Sequence, residues 1–349
     1  TDGSIAIVAL SHDSVSGYAG TIAGSTVGGG GTVVVDYLAN TTTADATSST
    51  LGAAGNGSGV TVEQWATDDS GTESSDVVHG LAIVADETAT FDNVAAMIAA
   101  TQTAGIGLNV ISTDVADNTQ AYIDASAVNL ATSTLGAVVL RAHDSDYVPE
   151  YGGALAVGLT GGGLGIGVNL TNFANTTSAY ITDSDPPGLT GTCQLPLLSG
   201  GAENPVCARG PPYDTDPTHR TTVYAPAGIE ITAINREDAE SYTVGAGFGE
   251  YAGLAGSGGS VESDSTTQAY ANEADLLSGA GIDIDADARV TVDYFAGAFA
   301  GGIAGGGGSA AKVVFGETTD AYMTATYSAS ALDTDVTATN VENEKIIAA

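Results

Sequence analysis

Three aspartates stand at alternate positions in Gly281-Ile282-Asp283-Ile284-Asp285-Ala286-Asp287. On a strand, alternate residues share one face, so Asp283, Asp285 and Asp287 would present a row of carboxylates. Such a row suits a hard cation such as Ca²⁺ if further oxygen ligands join it. A solvated acidic face is the plainer alternative, and the nonapeptide calcium pattern is not matched. The two cysteines, Cys193 and Cys207, close a short loop in a segment rich in Pro and Gly. In a chain with no other cysteine this pattern reads as a disulfide, with free thiols or a metal as alternatives. His12-Asp13 and His143-Asp144 are adjacent acid–imidazole pairs with no partner nucleophile, and read as surface polar residues. The glycine runs Gly161-Gly162-Gly163-Leu164-Gly165 and Gly305 to Gly308 lack the lysine and serine of a phosphate loop, so they read as sites of close backbone packing. Asn-x-Ser/Thr sequons stand at Asn40, Asn56, Asn169 and Asn175. No nucleophile elbow is present.

The elements that would position these residues are strands. The chain of 349 residues contains 48 glycines and only 6% aromatics, yet 43% of it is hydrophobic. It is too apolar for a disordered tail and too poor in large side chains for an ordinary globule. Small residues at this density suit closely stacked β-structure. The formal net charge is −35, with Lys312 and Lys345 the only lysines. That charge repels nucleic-acid phosphates and anionic headgroups and favours cations, cationic surfaces and neutral glycans. It also fits a saline medium. No apolar run reaches the length of a membrane span. The chain shows no signal peptide and opens on Thr1, which points to a processed form or a fragment.

A repeat runs through the sequence. A Thr-Thr-x-Ala-Tyr phrase follows a Gly/Val-rich run at Asn118 to Tyr122 (with Asn in the first place), Thr176 to Tyr180, Thr266 to Tyr270 and Thr318 to Tyr322. A degenerate copy, Thr41-Thr42-Thr43-Ala44, has Asp45 where Tyr is expected. The tyrosines are 58, 90 and 52 residues apart, and Asp45 precedes Tyr122 by 77. A unit of 52–58 residues accounts for all four intervals if two units carry inserts, one around Gly52 to Ser75 and one at 183–222. Gly228-Ile229-Glu230-Ile231 and Gly281-Ile282-Asp283-Ile284 are matching alternating strands. Phe91 to Ala100 has helix-forming composition, but its place in the repeat matches the glycine-rich Tyr151 to Gly158, so it is expected to be a strand. Tyr122, Tyr180, Tyr270 and Tyr322 should form a ladder of like residues, in preference to a glycan-binding aromatic site.

The alternating Gly281 to Ala288, the run Ala296-Gly297-Ala298-Phe299-Ala300-Gly301-Gly302 and the closing Asn118 to Ile123 resemble the repeats of large secreted bacterial adhesins of the filamentous-haemagglutinin-like and autotransporter types. The resemblance covers most of residues 90–335. It implies a β-solenoid displayed outside the cell. The two-cysteine insert and the short array depart from it.

The expected fold is therefore all-β, an elongated repeat of the β-solenoid kind, with a β-sandwich subunit joined by strand addition as the alternative. Residues 1–90 would form an N-terminal β region with the degenerate repeat, 91–335 the repeat domain with its disulfide-bearing insert, and 336–349 a C-terminal assembly strand. The function expected is a non-catalytic structural subunit of an extracellular filament, sheath or surface layer of a prokaryote, assembling head-to-tail with itself. An adhesin segment binding glycan or another cell is the alternative, and a polysaccharide-active β-helix enzyme a distant third. No cofactor is expected except Ca²⁺, and neither nucleic acid nor membrane insertion is expected.

Overall fold

A computed structural model describes residues 3–53, 55–65, 73–129, 136–184, 221–324 and 326–349. Among them the structure is all-β, with no helix. The chain makes five passes and begins a sixth. The first pass comprises β1 (Ile5–Leu38), β2 (Thr41–Thr47) and β3 (Thr50–Gly52). After it, β4 (Val60–Trp65) and β5 (Glu73–Val78) form an antiparallel hairpin. The second pass is β6 (Gly80–Val115), β7 (Asn118–Asp124) and β8 (Ala127–Asn129). The third is β9 (Ala137–Gly158), β10 (Gly162–Phe173), β11 (Thr176–Thr182) and β12 (Thr222–Ala225). The fourth is β13 (Gly228–Gly249), β14 (Ala252–Ser263), β15 (Thr266–Asn272) and β16 (Asp275–Ser278). The fifth is β17 (Ile282–Gly301), β18 (Ala304–Phe315), β19 (Thr318–Thr324) and β20 (Tyr327–Ser330), and β21 (Thr334–Ala348) opens the sixth.

Each pass hydrogen-bonds in parallel to the next. The sheet orders are β18-β14-β10-β6-β9-β13-β17-β21 with β1 on β6, then β19-β15-β11-β7-β2, then β20-β16-β12-β8-β3. Strand β6 is long enough to pair β9 along its first part and β10 along its second, so the largest sheet doubles back through it. Two walls result. Strands β6, β9, β13 and β17 form the front wall, and β10, β11 and β12 with their register partners form the back.

Alternation decides what lies between the walls. The inward positions of β9 run Val138, Leu140, Ala142, Asp144, Asp146, Val148, Glu150, Gly152, Ala154 and Ala156, and all are buried. They divide the interior into layers. Val138, Leu140 and Ala142 pack with Ile123, Ile181 and Leu276 in one apolar layer. Val148 packs with Phe91, Phe173 and Val261 in another. Each fully buried Leu, Ile or Phe contributes about 1.5–3 kcal/mol, so these two layers supply much of the adhesion between the walls. At the far end Gly163, Gly165 and Gly167 of β10 meet the front-wall backbone directly. A Cβ at Gly165 would lie 2.2 Å from the Ala246 carbonyl oxygen and 2.6 Å from that of Ala154.

Phe91 to Ala100 lies within β6, where packing overrides its helical composition. The phrases at Ile229 and Ile282 pair directly. The extra residues of the first pass include the β4–β5 hairpin, while most of the 183–222 insert, with Cys193 and Cys207, lies outside the described residues. The expected boundaries at 90 and 336 fall inside strands. β1 pairs β6 from Ile5 to Leu38, and β21 pairs β17 from Thr334, so both flanks belong to the same stack. The reason is that backbone pairing follows the repeat register, not the quality of the repeat motif.

Candidate functional site

The layer between the two apolar ones is built of oxygen. The front wall contributes Glu87 from β6, Asp144 and Asp146 from β9, and Asn235 and Glu237 from β13, all at most 1% exposed. Glu87, Asp144 and Asn235 occupy one register column. Facing them, at the corner that precedes β2, β7, β11, β15 and β19, stand Asn40, Asp117, Asn175, Ser265 and Glu317. This corner is itself a ladder. The Asn40 amide donates to Asp117 Oδ1 at 2.7 Å, the Asp117 amide to Asn175 Oδ1 at 2.9 Å, and the Asn175 amide to Ser265 Oγ at 2.8 Å. A residue with an acceptor side chain is needed there because the chain turns and the backbone amide has no strand partner.

The carboxylates differ in how well they are supplied with donors. Glu87 accepts from Asn40 Nδ2 at 3.1 Å and from Thr42 Oγ1 at 2.6 Å, one bond to each oxygen. Glu237 accepts on Oε1 from Asn175, Asn235 and Ser265, and on Oε2 from Ser263. Asp117, Asp144 and Asp146 each have one oxygen engaged, by the Asn40 amide, by Thr119 Oγ1 at 3.2 Å and by Asn175 Nδ2 at 2.6 Å respectively. Their other oxygens, Asp117 Oδ2, Asp144 Oδ1 and Asp146 Oδ1, are buried without a donor. One carboxylate oxygen from each of these three residues lies within 4.8 Å of the others, an all-oxygen set of the kind that holds a hard cation. Among the described residues no cationic side chain pairs with them.

Burial disfavours the charged forms here, and the carboxylates repel one another. Asp117 is pushed up to about 6, by burial and then by Glu87 and Asp13. Asp144 and Asp146 are held well above the usual carboxylate range by burial and by neighbouring acids, Asp117 and Glu237 among them.

Asp283, Asp285 and Asp287 do share a face, the outer one. Asp283 is exposed, Asp285 half-buried, and Asp287 buried with Arg236 at 3.5 Å from it. The carboxylates that converge are instead 117, 144 and 146. No spacing rule finds them, because Asp117 comes from a corner on the opposite wall. The inward parity of Asp144 and Asp146 between Ala142 and Val148 was the one available signal.

His143 and Asp144 are not surface residues. They are 3% and 0% exposed and point to opposite faces of β9. His143 stacks on Trp65 at 4.1 Å and bonds Asp86 at 2.8 Å, while His12 remains largely exposed with Asp86 3.9 Å away. Beside it, Arg141 donates to Glu230 Oε1 at 2.7 Å, Asp76 Oδ2 at 3.0 Å and the Glu63 carbonyl at 3.2 Å. These contacts clamp the β4–β5 hairpin to the outer face.

The tyrosines form the expected column. Tyr122, Tyr180, Tyr270 and Tyr322 stack at 4.8, 4.9 and 4.8 Å on the outer face of the back wall, with Asp45 in register before them. Inside the same strands Thr42, Thr119, Thr177, Thr267 and Thr319 align. Of the sequon residues, Asn169 and Asn175 are buried with their amide nitrogens bonded internally, so the folded chain does not present them. Asn40 is half-buried and bonded to Asp13 and Glu87, whereas Asn56 is exposed.

No family model, no curated protein and no solved structure matches this chain.

Proposed function

We propose that this chain is a structural element of an extracellular prokaryotic assembly, a filament, sheath or surface layer, built as a β-solenoid. One observation carries the reading. Residues 52 to 90 positions apart in sequence, the four tyrosines above all, lie on neighbouring strands in register with like residues over like. Such a stack spends its side chains on holding one pass to the next and extends by adding passes. Strands β1 and β21 are each paired on one side among the described residues, so a further strand, from a second copy or from more of the same repeat, continues the sheet there. Contact between these two unlike edges is head-to-tail and propagates. The net charge of −35 opposes it, and salt relieves the repulsion. The repeats' likeness to those of secreted adhesins and the acidic, lysine-poor composition agree with an extracellular, saline setting.

Sedimentation and negative-stain microscopy of the purified chain at low and high NaCl test this. Linear polymers that lengthen with salt are expected, and shorten when Ile7 and Val8 of β1 are both replaced by proline. A monomer at every salt concentration would remove the assembly.

An adhesin segment is the second reading, favoured by a separate feature. Tyr151 and Tyr242, 42% and 38% exposed, stack at 5.5 Å on the outer front wall, with Phe295 next in line at 6.5 Å. Exposed aromatic faces suit sugar rings. Binding to a glycan array that is lost in Tyr151→Ala/Tyr242→Ala would favour this reading.

A further inference from the structure

We propose that the inner oxygen layer holds one calcium ion, bound by Asp117, Asp144 and Asp146. The site is distinct from the outer row at Asp283 to Asp287, and the proposal does not depend on any assembly of the chain.

The first argument is the contrast within the layer. Five buried acids stand close together, and two of them, Glu87 and Glu237, have donors on both oxygens. The other three have donors on one oxygen only. A buried acceptor without a donor carries a desolvation penalty of about 1–3 kcal/mol, more when charged. Here three such oxygens belong to carboxylates grouped within 4.8 Å. A single cation among them satisfies all three at once and removes their mutual repulsion.

The second argument comes from residues outside the acidic group. Asn235 is wholly buried, projects into the same layer and is the register partner of Asp144. Its Nδ2 is committed to Glu237 at 3.0 Å, and its Oδ1 has no donor. An amide oxygen only accepts, so it needs a donor or a cation. Thr177, in register with the Thr119 that bonds Asp144, also has a fully buried hydroxyl oxygen with no partner. The layer thus offers neutral oxygen ligands beside charged ones, the mixture calcium takes.

Hydration selects among hard cations. Magnesium dehydrates reluctantly and keeps several waters, whereas calcium accepts a set of protein oxygens such as this sealed layer offers. With no nitrogen or sulfur in the set, softer transition metals have no advantage.

Because the layer is sealed, the ion enters as the chain folds, and the experiment must include refolding. The full chain is unfolded, refolded in EDTA, in millimolar CaCl₂ or in millimolar MgCl₂, passed through gel filtration, and assayed for retained metal and for Tm. About one calcium per chain is expected, with a higher Tm than in EDTA or magnesium. Asp144→Asn/Asp146→Asn should retain none. Asp117→Asn keeps the acceptor for the Asn40 amide and serves if the double variant fails to fold; it should weaken calcium retention at least tenfold. Asp283→Asn/Asp285→Asn should retain the wild-type amount. Equal Tm in all three buffers with no metal retained overturns the proposal and leaves protons as what neutralises the layer. Calcium retained undiminished by Asp117→Asn places the ion elsewhere and overturns it equally.

Discussion

The glycine seam and the oxygen layer lie on the same strands, in the same register, a few residues apart, and they hold the walls together by opposite means. At Gly163, Gly165 and Gly167 the walls touch backbone to backbone, and nothing fills the space because none exists. At Asp144 and Asp146 the walls stand apart, and the gap is filled by polar side chains that must find donors for one another. The seam is therefore sensitive to volume and indifferent to solution conditions. The oxygen layer is sensitive to charge, and its stability is coupled to pH and cations. One repeat pattern supports both because alternation fixes only which residues face inward, not what chemistry fills the layer.

The sharpest way to break the seam is to give it a side chain. Gly165→Val places a branched group against the carbonyl oxygens of Ala246 and Ala154, and those are backbone atoms of two adjoining front-wall strands that cannot swing aside. A loss of about 3 kcal/mol or more is expected from overpacking, enough to abolish the cooperative urea transition at moderate temperature. Gly308→Ala is the control. Nothing lies within 4 Å of its added Cβ, so its midpoint should move by no more than about 0.5 kcal/mol.

Buried acids should respond to pH instead, and Glu150, which lies beyond Val148 from the oxygen layer, reports this by itself. Glu150 accepts from Thr113 Oγ1 at 2.7 Å and is pushed up to about 7 by burial. Its folded value exceeds its ordinary 4.5, so the folded chain holds a proton that the unfolded chain releases. Stability from this group is complete below the ordinary value and is lost as pH rises from there to about 7, with a slope of up to about 1.4 kcal/mol per pH unit. Glu150→Gln keeps a neutral group in place. Urea midpoints measured in EDTA from pH 4.5 to 8 should show the variant increasingly more stable than wild type as pH rises. A constant difference across that range would refute the assignment.

The outer tyrosine column sharpens the comparison, because it depends on neither sealed volume nor charge. Tyr180 has a stacked ring on each side, at 4.8 and 4.9 Å, which is the strand spacing itself, so register alone brings the rings together. Tyr180→Ala should lose about 1–3 kcal/mol, from two ring pairs at about 0.5–1.5 kcal/mol each. Tyr322→Ala, with one neighbouring ring among the described residues, should lose about half of that. Tyr180→Phe should stay near wild type. Thermal melts at one pH and salt decide the order.

These regions were not equally legible in the sequence. The tyrosine column was readable because its motif is contiguous, and each copy carries the same five-residue phrase. The seam was half readable: runs such as Gly161 to Gly165 announce close packing but not which strand they meet. The oxygen layer was not readable, since Asp117 and Asp144 come from different walls and share neither spacing nor motif. The acids that drew notice, Asp283 and Asp285, were conspicuous because they are outward, where acidic residues are freely tolerated. His143-Asp144 misled for a related reason. Two polar neighbours on a strand read as solvated, but the β4–β5 hairpin covers one face and the back wall the other.

The smallest expected effect runs in the stabilising direction. Asp45 occupies the tyrosine position of the first pass, in register with Tyr122, and is exposed. Its one described side-chain bond is accepted from Thr47 Oγ1 at 2.8 Å, an exposed local contact of little worth. Asp45→Tyr would set a fifth ring against Tyr122 at the strand spacing. It would also remove a carboxylate from the neighbourhood of Asp124, in a chain whose net charge is already −35. The ring pair is worth about 0.5–1.5 kcal/mol, against the weak bond lost and some side-chain entropy, so a net gain of about 0.5–1 kcal/mol follows. Because part of the gain is charge removal, Asp45→Asn separates the two contributions. Asn should recover only the electrostatic part, and that part should fade in high salt, whereas the ring's part should persist. Should Asp45→Tyr be no more stable than Asp45→Asn at high salt, the rings stack because the strands place them together, and they contribute nothing of their own.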